Sequence, residues 1–174
     1  MPETALAIER LGDPRVRYYN LPIRPSYPRE QRPFWMVAGT RAGNAGFALC
    51  RGDWIAPLDD DDEFTGDHIE TLVNACRTNG WDFAYSVFEM EKEPGRWEPV
   101  GYWPIAEGAT CHGSVLISSR LQFMHYDVNA WRLNEPGDWN MWRRMRDAGA
   151  RMGFVDRVLG RHYLEGTAVP DDAD

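Results

Sequence analysis

Trp54-Ile55-Ala56-Pro57-Leu58-Asp59-Asp60-Asp61-Asp62 is the stretch on which the reading of this chain turns: five apolar residues run straight into four carboxylates. An apolar run of that length behind a glycine reads as a short buried strand. A strand ending in like charges puts them at the carboxyl edge of a sheet, where open α/β folds bind ligands. Neighbouring carboxylates raise one another's pKa unless positive charge offsets them, and a divalent cation with oxygen ligands would do so. A solvated acidic loop would show the same residues, so the surroundings of the run must decide.

Upstream, Val37, Ala38, Ala42, Ala45 and Leu49 recur at helical spacing and predict a helix over 34–51, stopped by Gly52. Gly39, Gly43 and Gly46 weaken that helix from within. Downstream, Thr65 or Asp67 can cap a helix that ends at Gly80, with Ile69, Leu72, Val73 and Cys76 facing inward. Alternation over 83–90, a Pro94-Gly95 turn and a return over 97–103 predict a hairpin, and 114–117 a short buried strand. An amphipathic helix over 138–148 puts Trp142 and Met145 on its buried face, and 152–155 and 158–159 read as two short final strands. Before the decisive stretch, 4–11 reads as a helix closed by Gly12 and Pro14, and 16–21 as a strand. Strands alternating with helices predict an α/β layer fold: a mostly parallel sheet flanked by helices, with a small antiparallel insertion near 83–103. No linker or repeat divides the 174 residues, so the expectation is one domain over 1–174 with a flexible tail from 165.

The composition is globular, with 43% hydrophobic and 13% aromatic residues, and the length suffices for a real core. A formal charge of −8 argues against nucleic acid or an anionic membrane surface as partner. Nothing approaches the ~20 apolar residues of a membrane span. Cys50, Cys76 and Cys111 form neither a CxxC pair nor a zinc spacing, so free thiols in a reducing, cytoplasmic setting are expected.

An EF-hand is the first metal site to test against the aspartates. Counted from Asp59, acids fall at loop positions one, three, five and twelve, but Phe64 stands where the sharp turn demands glycine. Counted from Asp61, Gly66 is in place but Leu72 replaces the closing glutamate. Neither register works.

A different pattern does. The stretch from Asn44-Ala45-Gly46 through Gly52-Asp53-Trp54-Ile55 to Leu58-Asp59-Asp60-Asp61-Asp62 resembles the centre of the family 2 glycosyltransferases, where an N-x-G-x-x-x-A-x-G-[DE]-x-I segment leads into L-D-x-D-D. Gly137-Asp138-Trp139-Asn140-Met141-Trp142-Arg143-Arg144 through Ala148-Gly149-Ala150 is similar to that family's E-D-W-D-L-W-x-R-x-x-x-A-G-A, and His162 falls where the family often has a late histidine.

The resemblance implies a GT-A (Rossmann-like) domain and a metal-dependent, inverting transfer of sugar from a nucleotide-diphosphate donor to a hydroxyl on a sugar, lipid or protein acceptor. It implies Asp59, Asp61 and His162 as ligands of Mn²⁺ or Mg²⁺, with Asp59 and Asp60 near the donor. It implies Asp138 as general base, although an aspartate opening a helix is also an ordinary cap. Cys111-His112-Gly113-Ser114 is similar to the loop that lines the sugar or acceptor pocket, which points to His112 and Gly113. Arg41 and Asn44 are candidates for the donor phosphates, and Trp35, Trp103 and Trp139 for stacking on sugar rings. Departures stand at Gly137, where the family has glutamate, and at Asn140, where it has a second aspartate. The resemblance begins after the strand–helix–strand that in the family builds the nucleobase pocket, so the expectation is an N-terminally truncated domain. Two other readings stay open: a glycosyltransferase remnant without donor binding, and a metal-dependent nucleotidyltransferase.

Overall fold

The computed structural model describes residues 2–23 and 26–164; the expected tail from 165 lies outside the described residues. Helix α1 (Pro2–Leu11) forms as its pattern predicts. The strand expected over 16–21 does not form: the segment is mostly exposed and is not one of the strands of the sheet. Alternating aromatics favour a strand only where another strand's backbone is in reach to bond with.

The single helix expected over 34–51 is two, α2 (Gln31–Val37) and α3 (Thr40–Leu49). Gly39 separates them with φ 75°, a left-handed conformation that no continuous helix contains. Next, β1 (Trp54–Ile55) is only two residues long, because Pro57 has no N–H to give a ladder. The aspartates form a turn closed by the Asp62 amide donating to the Asp59 carbonyl at 3.3 Å. This turn leads into β2 (Glu63–Phe64) and then α4 (His68–Asn79), which ends at left-handed Gly80. The buried stripe of α4 is His68, Leu72 and Cys76; Ile69, expected inside, is 44% exposed. Histidine displaces isoleucine from the core because its ring finds two partners there, the Phe64 ring and the Leu159 carbonyl.

β3 (Phe83–Glu93) turns through Gly95 into β4 (Arg96–Val100). β5 (Val115–Ser118), α5 (Gly137–Asp147) and β6 (Met152–His162) complete the fold, β6 joining the two short strands expected separately. A register shift carries it through: Ser86 pairs Val155 but Val87 pairs Val158, so Asp156 and Arg157 bulge out.

The sheet runs β1-β5-β3-β6-β2, with β4 also on β3. Its α/β class and flanking helices agree with expectation; its strand directions do not. Only β3–β6 is a parallel pairing among the described residues, and the other four are antiparallel. The reason is β5. It lies between β1 and β3 and runs against both, so the crossover from β1 through α4 to β3 links strands of one direction that never touch.

Phe83 to Phe88 is buried on both faces. Phe83 and Tyr85 pack with Trp142 and Met145 of α5, while Ala84 packs with Leu72 and Cys76 of α4. Burial of that much apolar surface at about 25 cal/mol per Å² is what holds the helices to the sheet.

Candidate active site

The site lies beyond the end of β1, where β2, α5 and the turn before β5 meet. The antiparallel register of β2 with β6 pairs Glu63 with Arg161 and Phe64 with Gly160, which brings Asp62 level with His162. His162 Nδ1 donates to the Asp62 carboxylate at 2.9 Å, and the Asp62 side chain is wholly buried there. The Tyr163 amide also donates to Asp62, at 3.2 Å.

A second imidazole serves Asp59. His112 stands in the one-turn 3₁₀ segment His112–Ser114, which the Ser114 hydroxyl ties to the Cys111 carbonyl at 2.8 Å. His112 Nδ1 donates to Asp59 Oδ1 at 2.9 Å, and Nε2 lies 2.8 Å from the Tyr126 hydroxyl. The ring lies nearly parallel to Trp142, with centroids 6.5 Å apart.

Asp138 opens α5, and its Oδ1 accepts from the Trp139 amide at 2.6 Å. The start of that helix is pinned twice. Gly137 sits so close to α2 and α3 that a Cβ there would come within 2.7 Å of the Thr40 methyl, which leaves no room for the glutamate seen in the family pattern. Glu135 accepts from Arg143 Nε and Nη2, both at 2.8 Å, and from Asn140 Nδ2 at 2.6 Å, while Asn140 Oδ1 accepts from Arg144 Nε at 2.9 Å. Buried Asn140 is thus the hub of a half-buried network, a role its carboxylate counterpart would fill poorly because it lacks a donor.

These elements enclose a cavity of about 720 Å³. Asp59, Asp60, His112, Asp138, Trp139 and His162 all line it, so these residues singled out in the sequence are brought together. Trp35 lines it too, and Tyr126 and Trp142 close its floor. One face of Trp139 is already covered by the Arg146 guanidinium, 5.5 Å from the ring centroid. Trp103 is not in the lining. Nor are Asp61, Arg41, Asn44 and Gly113. Gly113 packs beneath Phe88 and Leu58. Arg41 borders a separate cavity of about 270 Å³ with Trp131 and Asn129. Asn44 spends its amide on Tyr126, donating from Nδ2 to its carbonyl at 3.0 Å and accepting from its N–H at 2.8 Å. Tyr126 and Asp62 are the residues that sequence reasoning missed. Tyr126 stands outside every recognised motif, and nothing in a run of four aspartates says which member faces a histidine.

The charges are mutually adjusted. Burial pushes the Asp138 carboxyl up, and the nearby His112 charge and the Trp139 amide only partly offset that, so its pKa is raised. Burial would raise Asp59 too, but the hydrogen bond and charge of His112, with the charge of His162, hold it below the ordinary value. For His112 burial works against the cation, yet Asp59, Asp138 and Asp62 outweigh it and its pKa is raised. One cleft therefore holds a carboxylate kept ionised and another made more basic, the separation expected of groups with different tasks.

Among the described residues no three His, Cys, Asp or Glu side chains stand together as a metal-ligand set. Asp59 and His162 are each engaged by another partner, as above. The donor types nonetheless suit a divalent ion: carboxylate oxygen from Asp59 and imidazole nitrogen from His162 face the same cavity.

Comparison with known proteins agrees with this architecture. A family model described as glycosyl transferase family 2 matches residues 38–144, which carry the aspartate turn, His112, Tyr126 and Asp138. Among solved structures, Staphylococcus aureus TarS residues 1–349 in complex with UDP-GlcNAc superimposes with a TM-score of 0.61 at 9% identity, covering 94% of this chain and 47% of that one. TarS 1–349 in complex with UDP gives 0.57 at 10% identity over 74% of this chain and 41% of that one. The chain thus spans less than half the length of these solved chains, and the likeness is one of fold, that of the GT-A glycosyltransferases. No curated protein matches it. With a family model spanning more than half of its residues, the chain belongs to glycosyl transferase family 2.

Proposed function

We propose that this domain transfers a sugar from a nucleotide-diphosphate donor to an acceptor hydroxyl, with Asp138 as the base. The observation that carries the reading is that Asp59, Asp138 and His112 share one cavity, with one carboxylate held ionised and the other made more basic. Asp138 takes the acceptor's proton as its oxygen bonds to the anomeric carbon. The bond from that carbon to the diphosphate oxygen breaks with its electron pair leaving on the diphosphate, and a single displacement of this kind inverts the centre. Asp59 and Asp60 face the donor side of the cavity. A divalent ion, Mn²⁺ or Mg²⁺, held by Asp59 and His162, would supply positive charge for the departing diphosphate, and Asp61, which lies outside the cavity lining, is not needed for it. The UDP-GlcNAc and UDP complexes of TarS support a nucleotide-sugar donor for the fold.

Thermal shift of the full chain with UDP-, GDP- and dTDP-sugars, each with and without Mn²⁺, tests donor binding. Stabilisation by at least one donor is expected, and none by any would favour a remnant without donor binding. Asp138→Asn should cut transfer by about 10²–10⁴-fold while donor binding persists. Retained transfer would take the base role from Asp138.

A further inference from the structure

Tyr126 is held more firmly than a core tyrosine needs to be. Asn44 bonds both its N–H and its carbonyl across 82 residues of chain. On the ring side α3 comes so near that a Cβ on Gly43 would stand 3.0 Å from Tyr126 Cε2. Phe47 meets the ring edge-on at a centroid distance of 5.7 Å. All of this places one hydroxyl 2.8 Å from His112 Nε2, while Nδ1 of the same imidazole bonds Asp59 Oδ1.

We propose that Tyr126 is a positioning residue, clamped by Asn44, whose hydroxyl fixes the His112 ring and through it fixes which oxygen of Asp59 faces the cavity. With Nδ1–H committed to Asp59, Nε2 is the end of the ring left for the phenol. A phenol donates to that nitrogen when the ring is neutral and accepts from it when the ring is charged. The ring is therefore held in one orientation in either state, and Asp59 keeps one oxygen engaged and the other open. A phenylalanine would fill the same space and hold nothing. This also gives Asn44 a role: its amide reaches the site through Tyr126.

The test is imidazole ¹⁵N NMR of the full chain, comparing wild type with Tyr126→Phe and Asn44→Ala. In both variants the His112 Nε2 resonance should shift, with those of His68 and His162 unmoved as monitors of the fold and of the neighbouring carboxylate. His112 signals identical to wild type in Tyr126→Phe would overturn the proposal. So would displacement of His68 and His162 together with His112, which would mean that the hydroxyl merely holds up the fold. A silent Asn44→Ala would overturn the clamp. The consequence for rate rests on the glycosyl-transfer reading: Tyr126→Phe should lower kcat/KM for the donor about tenfold or more, the usual cost of losing a group that orients a ligand-bearing side chain. A wild-type chain that transfers nothing would sink that reading and leave the NMR result standing.

Discussion

His68 shows how one side chain can tie stability to pH. It is fully buried, its Nδ1 donates to the Leu159 carbonyl at 2.9 Å, and Phe64 stacks on it at 3.9 Å. Its Nε2 has no hydrogen-bond partner among the described residues, so a second proton would be buried there without an acceptor. Burial depresses its pKa more than the Leu159 carbonyl and Asp67 raise it. The unfolded ring therefore binds a proton first as pH falls below about 6.5. The stabilisation from this group is complete above that value and is lost as pH drops toward the folded pKa. Urea unfolding at pH 7.5 and 5.5 should show a larger loss for wild type than for His68→Leu, and equal losses would clear His68. Asp138 gives a dependence of the same sign, in rate. Because its pKa is raised, the acid limb of kcat/KM should lie above the ordinary aspartate value, with transfer rising as the carboxylate ionises. A pH–rate profile flat down to pH 4 would deny it the task.

Among the elements, the β2–β6 pairing is the one that brings Asp62 to His162, and it depends on Gly160. A Cβ there would fall 2.2 Å from the Phe88 ring and 2.7 Å from the Glu63 carbonyl. Neither a packed ring nor a ladder carbonyl can give way cheaply. Gly160→Ala should destabilise the fold by about 1–3 kcal/mol, read as a lowered urea midpoint. It should also perturb the NMR signals of His162 while sparing those of His112, which hangs on a different turn. Gly39 makes the complementary case. With φ 75° and open space around the missing Cβ, Gly39→Ala should cost only about 1 kcal/mol, through backbone strain alone. A larger drop in midpoint at Gly39 than at Gly160 would reverse this ordering.

At the scale of the whole molecule, Trp142 joins core to cavity. It is fully buried, packs on Phe83 and Tyr126, and lies beneath His112 at the cavity floor. Trp142→Ala should cost about 3–5 kcal/mol in chemical denaturation. It should also weaken donor binding, because the layer that holds α5 against the sheet is the layer that supports the site. A variant that unfolds at the wild-type denaturant concentration would show that the floor and the core are separable.

What the residues determined on their own was whatever depends on short range. Period-3.6 and period-2 patterns placed α1, α4, α5 and the β3–β4 hairpin, and four separate sequence features named Asp59, His112, Asp138 and His162, which do line one cavity. Local chemistry was also enough to flag Gly39 as a weak point in a helix. What tertiary structure decided was pairing. That β5 runs between β1 and β3, that Asp62 rather than Asp61 meets His162, and that Asn44 serves Tyr126 are all contacts between residues far apart in the chain. Periodicity carries no information over such distances. Strand register and the packing of one layer on the next choose among equivalent neighbours, and only the folded chain brings those neighbours into competition.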